Sequence, residues 1–248
     1  AEALQKKVGG EVSVIKANSE KSKALETATL KVHGLPVDMV NLRKEVYSPD
    51  SRIPEVTMGT AEDDALRRDS TINSMFYNLS TGKVEDFSGK GIEDLKNGII
   101  RSPSDPEEIF YNDPLRTLRT IRFAVRYGFD IEPETWKAMA NPEVIDKFKR
   151  SISIQRLGKE FSEPFMKDPV KTVRLWVDSG VSEAFMPELK RLDMDQKSKY
   201  HDKTVLDHTL ALLDHVHKVD PDNMVLKLAA LFHDFGKPDV AQPHHKEE

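Results

Sequence analysis

The chain has 248 residues, of which 38% are hydrophobic and 32% are charged, and its net charge is −5. This length fits one large domain or two to three small ones, and the charge content is typical of globular proteins with solvated helices. Cysteine is absent, which excludes disulfides and thiolate zinc sites. No apolar run approaches the roughly 20 residues that span a bilayer, so we expect no membrane partner.

Two further expectations follow from composition and from the ends of the sequence. The lack of cysteine fits a reducing compartment, so we expect a cytoplasmic protein, with import into a eukaryotic organelle left open. The sequence begins with Ala1 and ends in the polar run 244–248, and neither end looks like the end of a domain. We therefore expect a piece of a longer protein.

The first hundred residues are dominated by β-type patterns. Short apolar or alternating runs predict strands near 12–15, 27–32, 37–42 and 84–87. Proline and glycine predict a loop over 48–60 and turns on both sides of 84–87. The order of these signals indicates a β-rich first part.

After about residue 100 the apolar residues recur at helical spacing. Pro114 and Gly128 enclose one predicted helix, and Pro133 opens the next. Ser151 or Ser153 begins a helix that passes through Phe165, followed by helices at 169–180, 204–218 and 222–234. The fold class expected is therefore α+β, with a β-containing head followed by a helical body.

A row of arginines lies within the first predicted helix. Arg116, Arg119, Arg122 and Arg126 are spaced by three, three and four residues, which places them on one helix face. Guanidinium groups present paired donors that suit phosphates and base edges. The alternative is a solvated basic face that carboxylates of another helix neutralise. Spacing alone does not decide between the two.

Two other polar groupings stand out. The run 62–73 is dense in charge and ends in apolar residues, and Asp69 is predicted to cap a helix with Asn73 on its inner face. His208 is followed by the adjacent pair His233 and Asp234, which could bind a divalent metal at a helix end. The alternative readings are an ordinary capped helix and incidental histidines.

Five segments resemble the motifs of one enzyme family, in the family's order. Residues 67–73 read RRDSTIN, similar to R-R-D-F-T-I-N, and 86–95 resemble a D-x-x-G-G-x-x-D-L turn with Lys90 between the glycines. Residues 112–123 resemble E-D-P-L-R-x-x-R-x-x-R-F, and 153–160 resemble S-x-E-R-I-x-x-E. Residues 231–238, reading LFHDFGKP, resemble an HD domain. The chain therefore resembles the CCA-adding tRNA nucleotidyltransferases and poly(A) polymerases, the class II nucleotidyltransferases, with a C-terminal HD domain.

The resemblance implies a division of roles among the site residues. Asp113 and Arg116 would act as a protein template that pairs with the base of CTP or ATP, while Arg119 and Arg122 would face the triphosphate or support that template. Arg68 would approach the nucleotide, and Asp69 and Asn73 would hold its ribose side. Asp38 would be an auxiliary catalytic carboxylate. His208, His233 and Asp234 would form an incomplete HD metal site. The nucleotide-binding residues implied are Arg68, Asp69, Asn73, Asp113, Arg116, Arg119 and Arg122.

Some family features are missing or altered. The family's metal-binding D-x-D, on a strand just after a G-G-x-x-R-D turn, is not found, and Asn112, Ser70 and Gln155 replace the family's Glu, Phe and Glu. The two-metal mechanism needs those aspartates to hold Mg²⁺. We therefore expect that the isolated chain transfers no nucleotide.

Three segments are expected. Residues 1–100 form the C-terminal part of the nucleotidyltransferase head with a mixed β-sheet, residues 101–195 a helical template and RNA-binding neck and body, and residues 196–248 the start of an HD domain. The function implied is addition of CCA to the 3′ end of tRNA from CTP and ATP. Three alternatives are a poly(A) polymerase, an HD phosphohydrolase with a degenerate head, and an inactive RNA-binding module.

Overall fold

The structure is a computed structural model that describes residues 2–9, 12–15, 27–46, 55–151, 153–194 and 204–240. It consists of two compact units, residues 1–92 and 93–248. Across the described residues, no helix combines the length and the apolar character needed to cross a membrane.

The described residues of the first unit form two short α-helices and three sets of antiparallel strands. A three-stranded sheet has the order β1-β2-β3, with Thr29 paired to Asp38 across β2 and β3. Two hairpin-like pairs follow, β4 with β5 and β6 with β7. The elements are α1 Glu2–Val8, β1 Val12–Ile15, β2 Thr27–Val32, β3 Leu35–Val40, β4 Arg43–Val46, β5 Glu55–Met58, α2 Ala61–Leu66, β6 Phe76–Asn78 and β7 Lys83–Glu85.

Helices dominate the second unit. Helix α3, Gly91–Asn97, spans the junction of the two units, and one short parallel strand pair, β8 with β9, follows it. The remaining elements are β8 Ile99–Ile100, α4 Pro106–Asn112, α5 Leu115–Tyr127, β9 Asp130–Ile131, α6 Pro133–Met139, α7 Pro142–Ser151, α8 Ile154–Lys167, α9 Pro169–Asp178, α10 Ser182–Phe185, α11 Glu188–Arg191, α12 Val205–Val219, α13 Met224–Phe232 and α14 Lys237–Val240.

The core of the second unit is built around Trp176 of α9. Its indole ring stacks on Phe161 at 4.8 Å between ring centroids, and the ring of Phe185 meets it edge-on at 5.4 Å. Phe165, also fully buried, stacks on the same indole ring at 6.1 Å between centroids. Aromatic side chains of this size bury large apolar areas, so this cluster holds α8 and α9 together.

Helix α5 has ends that its sequence specifies. It begins directly after Pro114, whose fixed φ suits a helix start, and it ends at Gly128, which has a φ of 72°. That left-handed conformation is strained for residues with a Cβ, so a glycine is favoured there. Asp113 therefore lies two residues before the first residue of α5, in the link between α4 and α5.

The predicted α+β class, with β structure first and helices afterwards, is confirmed. The prediction of a loop over 48–60 is wrong for Glu55–Met58, which forms β5 because it finds a hydrogen-bonded partner in β4. Residues 48–54 lie outside the described part of the chain. The strand predicted at 37–42 is instead Leu35–Val40, paired with β2 along its length.

Candidate functional site

Asp64 organises the arginine pair at the start of the RRDSTIN segment. Its buried carboxylate accepts hydrogen bonds from Arg67 on one oxygen and from Arg68, at 2.8 Å from Nη2, on the other. Burial alone raises the pKa of Asp64, but the hydrogen bonds from Arg68 and Arg67 outweigh it and hold the pKa below its ordinary value of 3.8. Asp64 therefore stays ionised and fixes both guanidinium groups.

Arg68 is held from three sides within the first unit. Besides its bond to Asp64, its Nη1 donates to the backbone oxygen of Asn73 at 2.9 Å. Its guanidinium carbon lies 4.8 Å from the centre of the Phe76 ring, which is a cation–π distance. The orientation of this side chain is thus set before any ligand arrives.

Asp69 and Asn73 are brought together, although not as a helix cap. The side-chain amide of Asn73 donates to Asp69 at 2.9 Å, and Asp69 is buried. The prediction that Asp69 caps a helix is wrong. Thr60 caps α2, and Ser70 precedes the short 3₁₀ turn Thr71–Asn73 without a side-chain cap bond.

The glycine-containing turn packs tightly on this segment. Asp86 accepts hydrogen bonds from the Ser88 hydroxyl at 2.7 Å and from the Ile92 backbone nitrogen at 3.1 Å. A Cβ at Gly91 would lie 2.8 Å from both the Thr71 carbonyl oxygen and the Met75 Cγ. Only glycine fits there, so the turn is anchored to the 3₁₀ turn that ends in Asn73.

Asp38 lies in β3 on the exposed part of the first sheet. Its Oδ1 accepts a hydrogen bond of 2.6 Å from the Thr29 hydroxyl on β2. Among the described residues it belongs to no group of three or more potential metal ligands. The auxiliary catalytic role of Asp38 therefore stays a prediction.

Asp113 and Arg116 flank the start of α5. The backbone nitrogen of Arg116 donates to the Asp113 carbonyl oxygen at 3.0 Å, and the backbone nitrogen of Asp113 donates to the Ile109 carbonyl oxygen at 3.3 Å. These bonds fix the backbone at Asp113 and Arg116. Arg116 is 8% exposed. Nη2 of Arg156, on α8, contacts both oxygens of the Asp113 carboxylate, at 3.1 and 2.9 Å.

The rest of the arginine row faces α8. Arg122 contacts Glu160 at 2.6 Å from its Nε, and the side chains of both are 6% exposed. Arg126 contacts Glu163 at 3.0 Å, and Arg119 lies 3.9 Å from Glu160. Carboxylates of another helix thus neutralise part of the row, as one of the two readings of the sequence proposed. Arg122 contacts Glu160, and Arg126, one turn later in α5, contacts Glu163, one turn later in α8. The two helices therefore run in the same direction.

Lys147, on α7, adds positive charge near Asp113. Its ammonium lies 4.1 Å from the centre of the Tyr111 ring. Burial lowers the pKa of Lys147, and the charge of Asp113 opposes this lowering. The carboxylate of Asp113 therefore faces cations from both α7 and α8.

His208, His233 and Asp234 come together where α12 approaches the end of α13. Each offers one ligand atom, and these atoms lie within 4.8 Å of one another. His233 Nδ1 lies 2.8 Å from the Ala230 carbonyl oxygen, and its Nε2 lies 3.0 Å from Asp234 Oδ2. Two imidazoles and a carboxylate are donors that transition metals accept. However, the Lys237 ammonium lies 2.7 Å from the same Asp234 oxygen, where it would compete with a bound metal ion.

Sequence reasoning picked out most of these residues but missed those that position them. The side chains that it overlooked as functional are Asp64, Lys147, Arg156, Glu160 and Glu163. Arg156 and Glu160 were visible as motif letters, yet nothing in one sequence showed what they contact. A stripe at 156, 160 and 163 on one helix face is the only available signal.

The chain is similar in sequence and in fold to known proteins. Residues 1–101 match the family model of the poly A polymerase head domain. The mitochondrial CCA tRNA nucleotidyltransferase of Saccharomyces cerevisiae is 51% identical over 149 residues, which are 60% of this chain and 27% of that protein. The chain thus spans about a quarter of the length of this curated relative.

Solved structures cover almost the whole chain. A Thermotoga maritima CCA-adding enzyme complexed with tRNA matches 95% of this chain and 50% of its own, with a TM-score of 0.66 and 25% identity. A CCA-adding enzyme complexed with CTP matches 94% of this chain and 49% of its own, with a TM-score of 0.65 and 26% identity.

The sequence matches and the fold matches thus agree on one class of protein, the nucleotidyltransferases, as what the chain is similar to. More closely, the matching model is that of the poly A polymerase head domain, and the relatives and solved structures that the chain is similar to are CCA-adding tRNA nucleotidyltransferases.

Proposed function

We propose that the chain selects the incoming nucleotide for the addition of CCA to the 3′ end of tRNA. The observation that carries this proposal is the placement of Asp113 and Arg116 at a fixed helix start, with the Asp113 carboxylate oriented by Arg156. A carboxylate accepts from the exocyclic amine of cytosine or adenine, and a guanidinium donates to ring or carbonyl acceptors. UTP and GTP lack a donor amine at the corresponding position and would be rejected.

The other predicted nucleotide-binding residues take supporting or flanking roles in this proposal. Within the first unit, Arg68 is oriented by Asp64, while Asp69 and Asn73 form a bonded pair suited to ribose hydroxyls. Arg122 is buried against Glu160, which favours a role in supporting the template helix over direct contact with a triphosphate. Arg119 is more exposed and remains the better candidate for that contact.

Family members use divalent metal, and we propose Mg²⁺ as the ion that the transfer reaction requires. Among the described residues of this chain, Asp38 belongs to no group of three or more potential metal ligands, so the residues described do not fit a two-ion site. The separate His208, His233 and Asp234 group is proposed to bind a divalent cation in competition with Lys237.

The proposed partners are tRNA, CTP and ATP, which is consistent with the similar CCA-adding enzymes solved with tRNA and with CTP. The proposed location is the cytoplasm or, given the mitochondrial relative from yeast, an organelle. The HD-type segment 196–248 adds no function to this proposal beyond its cation site.

The test is equilibrium binding of CTP, ATP, UTP and GTP to the wild-type chain and to Asp113→Asn and Arg116→Gln variants. The proposal expects the wild type to bind CTP and ATP more tightly than UTP and GTP, and both variants to lose that preference. Variants that kept the wild-type preference would show that the base is chosen elsewhere. Addition of adenylate alone to RNA other than tRNA, by an enzyme carrying these residues, would favour a poly(A) polymerase.

A further inference from the structure

The α8 helix presents a stripe of charged side chains to α5 and to the link before it. Arg156, Glu160 and Glu163 follow one another at spacings of four and three residues, so they share one face. They meet Asp113, Arg122 and Arg126 in that order, in three successive ion-pair layers. The middle layer is buried, which fixes the position of α8 relative to α5 along their length.

The first ion pair differs from the other two because it includes Asp113, the side chain proposed to bind the base. Arg156 lies in the first turn of α8, where its backbone nitrogen donates to Ser153 at 3.1 Å. A single nitrogen, Nη2, contacts both Asp113 oxygens, at 3.1 and 2.9 Å. The buried layer below holds Arg156 in place, so the carboxylate plane of Asp113 is set by α8.

The contact leaves Asp113 able to accept another hydrogen bond. A carboxylate has about four acceptor sites, and one shared donor nitrogen occupies two of them at most. The side chain of Asp113 is 26% exposed and that of Arg156 is 45% exposed. Ion pairs this exposed contribute little to folding stability, so orientation of Asp113 is the larger consequence of the contact.

We propose that Arg156 is a positioning residue for base selection, which acts through Asp113 by holding its carboxylate in the orientation that accepts a base amine. The inference rests on the proposed function and names a residue that determines its specificity. Without Arg156 the Asp113 carboxylate loses a hydrogen-bond donor that orients it, and its preference for an amine-bearing base over a carbonyl-bearing base falls.

The experiment measures the ratio of CTP to UTP affinity for the wild-type chain, Arg156→Gln, Asp113→Asn and the double variant. Loss of one well-oriented hydrogen bond predicts that Arg156→Gln lowers the ratio by about 10-fold. Because Arg156 acts through Asp113, the double variant has no lower ratio than Asp113→Asn alone. The thermal unfolding midpoint of Arg156→Gln stays close to that of the wild type, which a merely structural role would not predict.

The matched control is Arg174→Gln. Arg174 forms an ion pair with Asp207 at 2.5 Å, with side-chain exposures of 46% and 36%, in the same helical unit. This variant keeps the wild-type ratio. If Arg156→Gln keeps the wild-type ratio of CTP to UTP affinity while Asp113→Asn loses its preference for CTP, the positioning role of Arg156 is overturned. The proposed function then stands. A wild type that binds CTP and UTP equally overturns the proposed function and this inference with it.

Discussion

Arg122 of α5 and Glu160 of α8 form an ion pair of 2.6 Å in which both side chains are only 6% exposed. The Arg122 guanidinium also lies 4.2 Å from the centre of the Phe123 ring. Two charges this buried are tolerated because each neutralises the other and the hydrogen bond is short. The pair ties the helix that begins after Asp113 to the helix that carries Arg156.

Glu160→Ala removes one side of this pair and leaves Arg122 buried with reduced compensation. We expect it to lower the free energy of unfolding by about 3 kcal/mol, as for other broken buried pairs. Urea unfolding followed by circular dichroism measures this loss. Glu163→Ala is the comparison variant, because Glu163 is 33% exposed and lies farther from Arg122, at 3.6 Å, so that its removal should cost about 1 kcal/mol or less. If both variants lowered the free energy of unfolding by the same amount, the buried ion pair would contribute no more to stability than the exposed one.

Asp64 makes the stability of the chain depend on pH. Its pKa in the folded state lies below the ordinary value of 3.8, so its contribution is fully present above that value and is lost as the pH falls through the lowered pKa. We expect Asp64→Asn to cost about 1–3 kcal/mol at pH 7, because Arg67 and Arg68 lose a charged acceptor.

The difference in unfolding free energy between wild type and Asp64→Asn should then shrink as the pH is lowered from neutrality past 3.8. Urea titrations at several pH values measure it. Other carboxylates titrate in both proteins and cancel in the comparison. A difference that stayed constant over this range would contradict the role given to the Asp64 charge.

In the cluster of His208, His233 and Asp234, we expect Lys237 and a metal ion to compete for one oxygen of Asp234. Isothermal titration with Zn²⁺ should show that Lys237→Met binds the ion more tightly than the wild type does, because the ammonium 2.7 Å from Asp234 is removed. His233→Ala should lower the affinity by about 10-fold or more, as expected for loss of one of three ligands. His215→Ala, which changes an exposed histidine of α12, serves as the control. Weaker binding by Lys237→Met than by the wild type would sink the competition model.

The isolated 248 residues should transfer no nucleotide. They contain no D-x-D on a strand after a G-G-x-x-R-D turn, and among the described residues Asp38 belongs to no group of three or more potential metal ligands. A tRNA that lacks its 3′ CCA, incubated with radiolabelled CTP and ATP, Mg²⁺ and the chain, should therefore gain no label. Incorporation of CMP or AMP would show that the chain builds its own metal site.

The local features of the fold were readable from the sequence. Pro114 and Gly128 specify the bounds of α5, and His233 next to Asp234 at the end of an apolar helix predicts that the two lie close to His208. The ion-pair layers between α5 and α8 were not readable, since Arg156 lies 43 residues from Asp113 and Glu160 lies 38 residues from Arg122. Such pairs depend on how the helices pack against each other, and this packing cannot be inferred from a single sequence.

The loop predicted at 48–60 failed for a related reason. Glu55–Met58 has a proline on one side and a glycine on the other, which favours a turn, and it becomes a strand only because Arg43–Val46 supplies its hydrogen bonds. Asp64 was overlooked because it follows Glu62 and Asp63, and three consecutive acidic residues are typical of the solvent-exposed first turn of a helix. Its burial is a tertiary property.

The most direct test of the account asks whether Asp113 reads the exocyclic amine of the base. Binding of CTP is compared with binding of a CTP analogue that has hydrogen in place of the 4-amino group, for the wild-type chain and for Asp113→Asn. The account predicts that the wild type prefers CTP by about 10-fold, the worth of one charge-assisted hydrogen bond, and that Asp113→Asn binds the two nearly equally. Equal binding of both nucleotides by the wild type, or an undiminished preference in Asp113→Asn, would contradict it.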